Sequence, residues 1–136
     1  MMTRQKRYAV VKRRVGSLEL EVCRRDDQYG AGPCFSVYKH GREILRFDLF
    51  PVGAHWHVYS EVNQPRHYFA KDGTSFVPVA PDIESGARRA AAPPWDVMVQ
   101  AAHAEAARRF PQLASDDARA WLLAELAQRN AEPAGR

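Results

Sequence analysis

A chain of 136 residues, 46% of them hydrophobic and 26% charged, can bury one core without disulfides or a metal, which excludes wholesale disorder and argues for a single domain. Two cysteines, Cys23 and Cys34, are too few for a disulfide framework, and no run approaches the roughly 18 apolar residues of a membrane span. The net charge of +4 is uneven: residues 1–14 hold Arg4, Lys6, Arg7, Lys12, Arg13 and Arg14 and no acid, so the remainder nets −2.

That basic segment suits phosphates or an acidic partner protein, and equally a solvated edge strand whose charges discourage aggregation. Arg outnumbers Lys 16 to 4, the bias of a GC-rich genome, so Arg richness alone argues little for nucleic acid. No apolar stretch follows the basic start, so no secretory signal is expected. The simplest expectation is a cytoplasmic location with reduced thiols.

Residues Tyr8 to Val15 are β-branched and basic, and Leu18, Leu20 and Val22 alternate with Glu19 and Glu21, the pattern of a half-buried strand. Asp26 to Pro33 reads as a turn-rich loop. Cys34 to Tyr38 predicts the next strand, His40-Gly41 a turn, and Glu43 to Phe50 another strand. His55 to Ser60 follows, with shorter strands expected at Arg66 to Ala70 and Ser75 to Val79 around an Asp72-Gly73 turn. Beyond a connector the period changes to 3.6. Pro93-Pro94 opens a helix with Trp95, Met98, Val99, Ala102, Ala106 and Phe110 on one stripe, and Pro111 stops it. Ser115 then caps a second helix with Asp116 and Asp117 in its first turn and an apolar stripe of Trp121, Leu122 and Leu126.

The expected fold is α+β: an antiparallel β-meander of about six strands, followed by two C-terminal helices packed on one sheet face. Within one domain over 1–136, the meander takes about 5–80, the connector 81–92, the helical part 93–130 and a tail 131–136.

The stretch from Glu43 to Tyr59 concentrates the chemistry. Arg46 and Asp48 alternate on one strand, and His55 and His57 on the next, across a four-residue Pro/Gly loop. If Phe50 pairs with His55, Asp48 faces His57 and Arg46 faces Tyr59, while Phe47 with Val58 and Leu49 with Trp56 make the other face apolar. Asp48 would then fix the tautomer of His57. Three readings compete: a cross-strand pair on a solvated face; acid–base chemistry by His57 and Asp48 with Arg46 stabilising an anion; or a divalent metal on His55 and His57, completed by Asp48 or His67. No other cofactor is expected. His40 reads as a turn residue, His103 as a helix-surface residue, and Cys23 and Cys34 as buried small residues.

The segment Leu45-Arg46-Phe47-Asp48, followed by His55 and His57, resembles the aromatic R-[FY]-D strand and histidine cluster of TumE-type toxins from toxin–antitoxin pairs, and a similar pattern in related uncharacterised bacterial families. The resemblance covers about fifteen residues; this chain lacks the denser Pro-His-His run and has a longer helical part. It implies a small, partner-bound cytoplasmic protein acting on RNA, with Arg46, Asp48, His55 and His57 carried over. Independently, phosphodiester cleavage needs a base, an acid and a cation, roles open to His57, His55 and Arg46. The basic first strand (Arg4, Lys6, Arg7, Lys12, Arg13, Arg14) would attract phosphates. The expectation is therefore a toxin-like or accessory protein contacting RNA. The alternatives are a non-catalytic interaction module, or small subunit, with a protein partner or second copy, and a His-based metal-binding protein. No membrane partner is expected.

Overall fold

The computed structural model describes residues 6–27, 30–59, 67–69, 76–78 and 91–131. Its sheet is an antiparallel meander in sequence order: β1 (Lys6–Val15), β2 (Leu18–Asp27), β3 (Gly30–Lys39), β4 (Arg42–Asp48), β5 (His55–Val58), β6 (His67–Phe69) and β7 (Phe76–Pro78). The first five carry the fold. The last two are three residues each, shorter than the sequence pattern implies. The expected Asp72-Gly73 turn and all of the connector except Ala91 and Ala92 lie outside the described residues.

Two-residue turns set the register. His40 and Gly41 both adopt positive φ, 53° and 75°, the conformation whose twist matches the flanking strands of a tight hairpin. Lys39 therefore pairs with Arg42. Gly16, at φ 61°, opens the equivalent turn between β1 and β2.

The Gly/Pro-rich run Asp26 to Pro33 is not a loop. Asp26 and Asp27 complete β2, and Gly30 to Pro33 begin β3, with Arg24 opposite Pro33 and Arg25 opposite Gly32. Tertiary packing overrides the local turn signal. The Phe50 ring lies over both glycines: a Cβ on Gly30 would sit 2.7 Å from Phe50 Cδ2, and one on Gly32 3.1 Å from Cδ1. Only glycine admits the ring at that distance.

Period-2 alternation then sorts the two faces. Leu18, Leu20, Val22, Phe35, Val37, Leu45, Phe47 and Trp56 form the core face. Phe35 stacks on Phe47 at 4.5 Å between ring centroids, and Phe47 on Trp56 at 5.4 Å. Each such pair adds about 0.5–1.5 kcal/mol beyond the area it buries.

Both helices cover this face. α1 (Trp95–Arg109) buries Met98, Val99, Ala102 and Ala106, and α2 (Asp116–Asn130) buries Ala118, Leu122 and Leu126. Ser115 caps α2 by accepting from the Ala118 N–H at 3.2 Å. A 3-10 turn, Pro111–Ala114, joins the helices. It corrects the reading of His103 as a surface residue: His103 is buried, and its Nε2–H donates to the Leu113 carbonyl at 2.7 Å. The strand-like residue Ala9 adopts φ 54° at a bulge in β1 and turns its carbonyl to Arg129 Nε, 2.8 Å away. Among the described residues, no helix is long and apolar enough to cross a membrane.

Candidate functional site

The opposite sheet face carries the polar set. Its rows follow from the register: Cys23, Cys34, Asp48 and His55 lie side by side across β2 to β5, and Glu21, Ser36, Arg46 and His57 form the next row. The β4–β5 register differs from the expected one by two residues. Asp48 pairs with His55 and Arg46 with His57, while Phe47 pairs with Trp56 and Leu45 with Val58. Leu49 and Phe50 leave the hairpin ladder instead of extending it; the Leu49 N–H donates to Pro33. The loop therefore spans 49–54. The contact expected between Asp48 and His57 nevertheless forms, diagonally.

One carboxylate organises the site. Asp48 Oδ2 lies 3.1 Å from His55 Nε2 and 3.2 Å from His57 Nε2. Arg46 Nε stands 3.3 Å from the same oxygen. Cys34 donates its S–H to Oδ1 at 3.1 Å. Burial opposes the charge on Asp48, but hydrogen bonds from His55 and His57 and the charge of Arg46 outweigh it and hold the carboxyl well below its usual range. Burial pulls His57 below the ordinary imidazole value, only partly opposed by Asp48. The pair is therefore a carboxylate and a neutral imidazole at pH 7.

The tautomers follow from the partners. His55 Nδ1–H donates to the Gly53 carbonyl at 2.8 Å, so a neutral His55 would turn its Nε2 lone pair toward a carboxylate oxygen. That contact needs a cation between the two atoms or a second proton on the ring, making it an imidazolium. For His57 the charge-assisted bond to Asp48 assigns the proton to Nε2 and leaves the Nδ1 lone pair as a base. Arg46 Nη2 also stands 3.3 Å from His57 Nε2; with the proton there, this is a contact between two donors rather than a hydrogen bond, and both side chains donate instead to Asp48 Oδ2.

Of three further neighbours, the sequence places Tyr59 beside Arg46 and Phe50 beside His55, though in another register, and misses the pairing of Cys34. Tyr59, 43% exposed, stacks on His57 at 5.5 Å and lies 5.7 Å from the Arg46 guanidinium. Phe50 packs with Cys23 and Cys34 and meets the His55 ring edge-on. Cys34 faces Cys23 directly, and both thiols are free. The neighbouring Cys34 lowers the Cys23 thiol, while burial pushes Cys34 well above its ordinary value. Parity predicted the shared face of Cys23, but the misplaced start of β3 hid its partner.

The basic first strand is divided by its own alternation. Arg7 pairs with the buried Glu21, and Lys12 lies 3.9 Å from the same carboxylate. Arg13 reaches the other face, pairing with Asp117 and lying 6.0 Å over the Trp121 ring. Arg14 is exposed at the β1–β2 turn. Arg4 and the side chain of Lys6 lie outside the described residues, as does the side chain of His67. In register, Tyr68 rather than His67 pairs with His55.

No family model, no curated protein and no solved structure matches this chain. Its functional reading therefore comes from the site's chemistry. Two kinds of chemistry fit: proton transfer by the Asp48-held His57 beside a fixed guanidinium, and cation binding by Asp48, His55 and His57, whose donor atoms lie within 4.8 Å of one another.

Proposed function

We propose that this chain is a small cytoplasmic, toxin-like or accessory protein whose polar sheet face acts on RNA by acid–base chemistry. One observation carries the reading: a buried carboxylate holds His57 in a base-ready tautomer while Arg46, charged and 17% exposed at its side chain, stands beside both. RNA suits this set because its own 2′-hydroxyl is the nucleophile. The 2′-hydroxyl proton passes to His57 Nδ1, the 2′-oxygen bonds phosphorus, and the P–O5′ bond breaks. The leaving oxygen takes a proton from water, giving a 2′,3′-cyclic phosphate and a 5′-hydroxyl. Arg46 neutralises the non-bridging oxygens as charge grows on them. His55, with both ring nitrogens engaged, positions Asp48 rather than serving as the acid. The resemblance to TumE-type toxins points the same way and adds a protein partner, or a second copy, that restrains the activity.

The test is His57→Ala. Its circular dichroism should match the parent while RNA cleavage falls by about 10²–10⁴-fold; unchanged cleavage would sink the reading. A second reading is favoured by His55, whose Nδ1–H is anchored on a carbonyl as metal-bound histidines are. In it, Asp48, His55 and His57 hold a divalent cation. Cobalt titration separates the two. A saturable d–d spectrum lost in both His55→Ala and His57→Ala supports the metal, and its absence removes it.

A further inference from the structure

Arg14, Lys39 and Arg42 are exposed where the β1–β2 and β3–β4 hairpins turn. The register places Lys39 directly beside Arg42, while Arg14 stands in the neighbouring row with Glu19, Tyr38 and Glu43, on the other face by alternation. Arg7, Lys12 and Arg13 all face acids. Among the described residues none of Arg14, Lys39 and Arg42 has an ion-pair partner. The uncompensated positive surface of the described chain's sheet is thus at its turns, not along β1.

Two cavities open there and share His40. One of about 200 Å³ includes Arg14 and Tyr38 in its lining, and one of about 480 Å³ is lined by Lys39, Arg42, Glu43, Ile44 and Tyr59 besides His40. Of the nearby acids, Glu19 faces Lys12 at 4.0 Å, and Glu43, which accepts from Ser36 Oγ at 2.5 Å, keeps its charge in the larger cavity's lining beside Lys39 and Arg42. The two-residue turn holds His40 between the cavities. The larger one ends on Tyr59, whose ring stacks on His57. A β4 bulge at Ile44 fixes that end, because the freed Ile44 carbonyl accepts from the Tyr59 N–H at 3.0 Å.

We propose that this end of the sheet is a binding track for single-stranded RNA. Lys39 and Arg42 contact successive phosphates, and the larger cavity, which both line, takes the nucleotide next to the one presented to His57. The proposal rests on the acid–base reading of the site for its direction, but binding can be measured without cleavage. The cavity volume lies in the range of small-molecule sites, roughly 300–1,000 Å³. A duplex would keep its bases inside and gain nothing from the cavity or the aromatic wall, whereas a single strand offers both phosphates and unstacked bases.

The experiment is fluorescence anisotropy with a labelled short oligouridylate over a range of salt concentrations. Lys39→Ala/Arg42→Ala should weaken binding at least tenfold and reduce the slope of log affinity against log salt by about 1.4, the loss of two single-strand phosphate contacts. Arg108→Ala/Arg119→Ala removes the same charge from the helices and should bind as the parent does. Unchanged affinity in the turn variant, an equal loss in the helix variant, or displacement of the RNA by polyglutamate at equal charge would each overturn the track; the last would make the surface one for acidic proteins. Parent protein that binds through the track but leaves the RNA intact would uphold the track and remove the catalytic reading.

Discussion

Replacing Asp48 by Asn keeps the shape of the side chain and removes the charge on which the polar face is organised. Arg46 then keeps its positive charge, and its side chain is only 17% exposed. Removing one partner of a buried ion pair costs about 3–5 kcal/mol, and Arg46's partial access to water places this case near 3 kcal/mol. For a chain of this size that is a fall of roughly 10 °C in Tm. The pH dependence is the sharper test. The native carboxyl titrates well below its unfolded value, so its contribution is complete above about pH 4 and is lost as pH falls through the folded pKa. His57 is also depressed. The unfolded chain takes up its proton first, and stability falls as pH drops below about 6.5. Asp48 limits that depression, so the Asn variant should lose more. The gap between parent and variant should therefore widen from pH 7 toward about 5, shrink below about 4 as the unfolded carboxyl protonates, and close only as pH falls through the lower folded pKa. Urea unfolding followed by tryptophan fluorescence reads it directly. A gap under about 1 kcal/mol at pH 7, or one that persists in acid, would refute the argument.

Two further changes probe the packing that shapes the site. Gly30→Ala drives a methyl into the buried Phe50 ring and should cost about 1–3 kcal/mol; Phe50→Leu added to it should restore part of the loss in a thermal melt, and a neutral Gly30→Ala would contradict the close approach. His103→Leu keeps the volume but strips the Leu113 carbonyl of its donor. It should destabilise by about 1–3 kcal/mol in chemical denaturation, while the helix-surface position read from sequence predicts almost no change.

The sequence showed the meander and the two helices where periodicity was strong: Leu18 to Val22, the Met98–Ala106 stripe, and the Ser115 cap. It hid features that depend on distant packing. Gly30 to Pro33 carries loop residues locally and becomes strand only because Phe50 needs two positions without a Cβ. His103 looked solvated because a short 3-10 turn, not a periodic element, covers it. Charge counting placed the basic surface on β1 because it could not see that Glu21 would be buried between Arg7 and Lys12. The turn cations Lys39 and Arg42 were passed over for the opposite reason: each is a single charge in sequence and gains a neighbour only through the hairpin.

The hairpin register shows most clearly why a polar site can be half legible. A one-residue slip would have exchanged the faces, so the apolar pattern excludes it. A two-residue slip keeps Phe47 and Trp56 inside and Asp48 and His57 outside, and the pattern accepts both registers. What separates them is the chemistry of the polar row. In the slipped pairing His55 would face Phe50, and Asp48 would face His57 directly. In the observed pairing Phe50 is released to cover Gly30 and Gly32, and Asp48 lies between the two imidazoles with Arg46 alongside. The carboxylate gains a second histidine, and the ring gains a buried seat beside Cys23 and Cys34. The groups proposed to act on RNA are thus also among those that favour one pairing of β4 with β5, which is why Asp48→Asn tests the fold and His57→Ala, read by cleavage beside its circular dichroism, tests the chemistry.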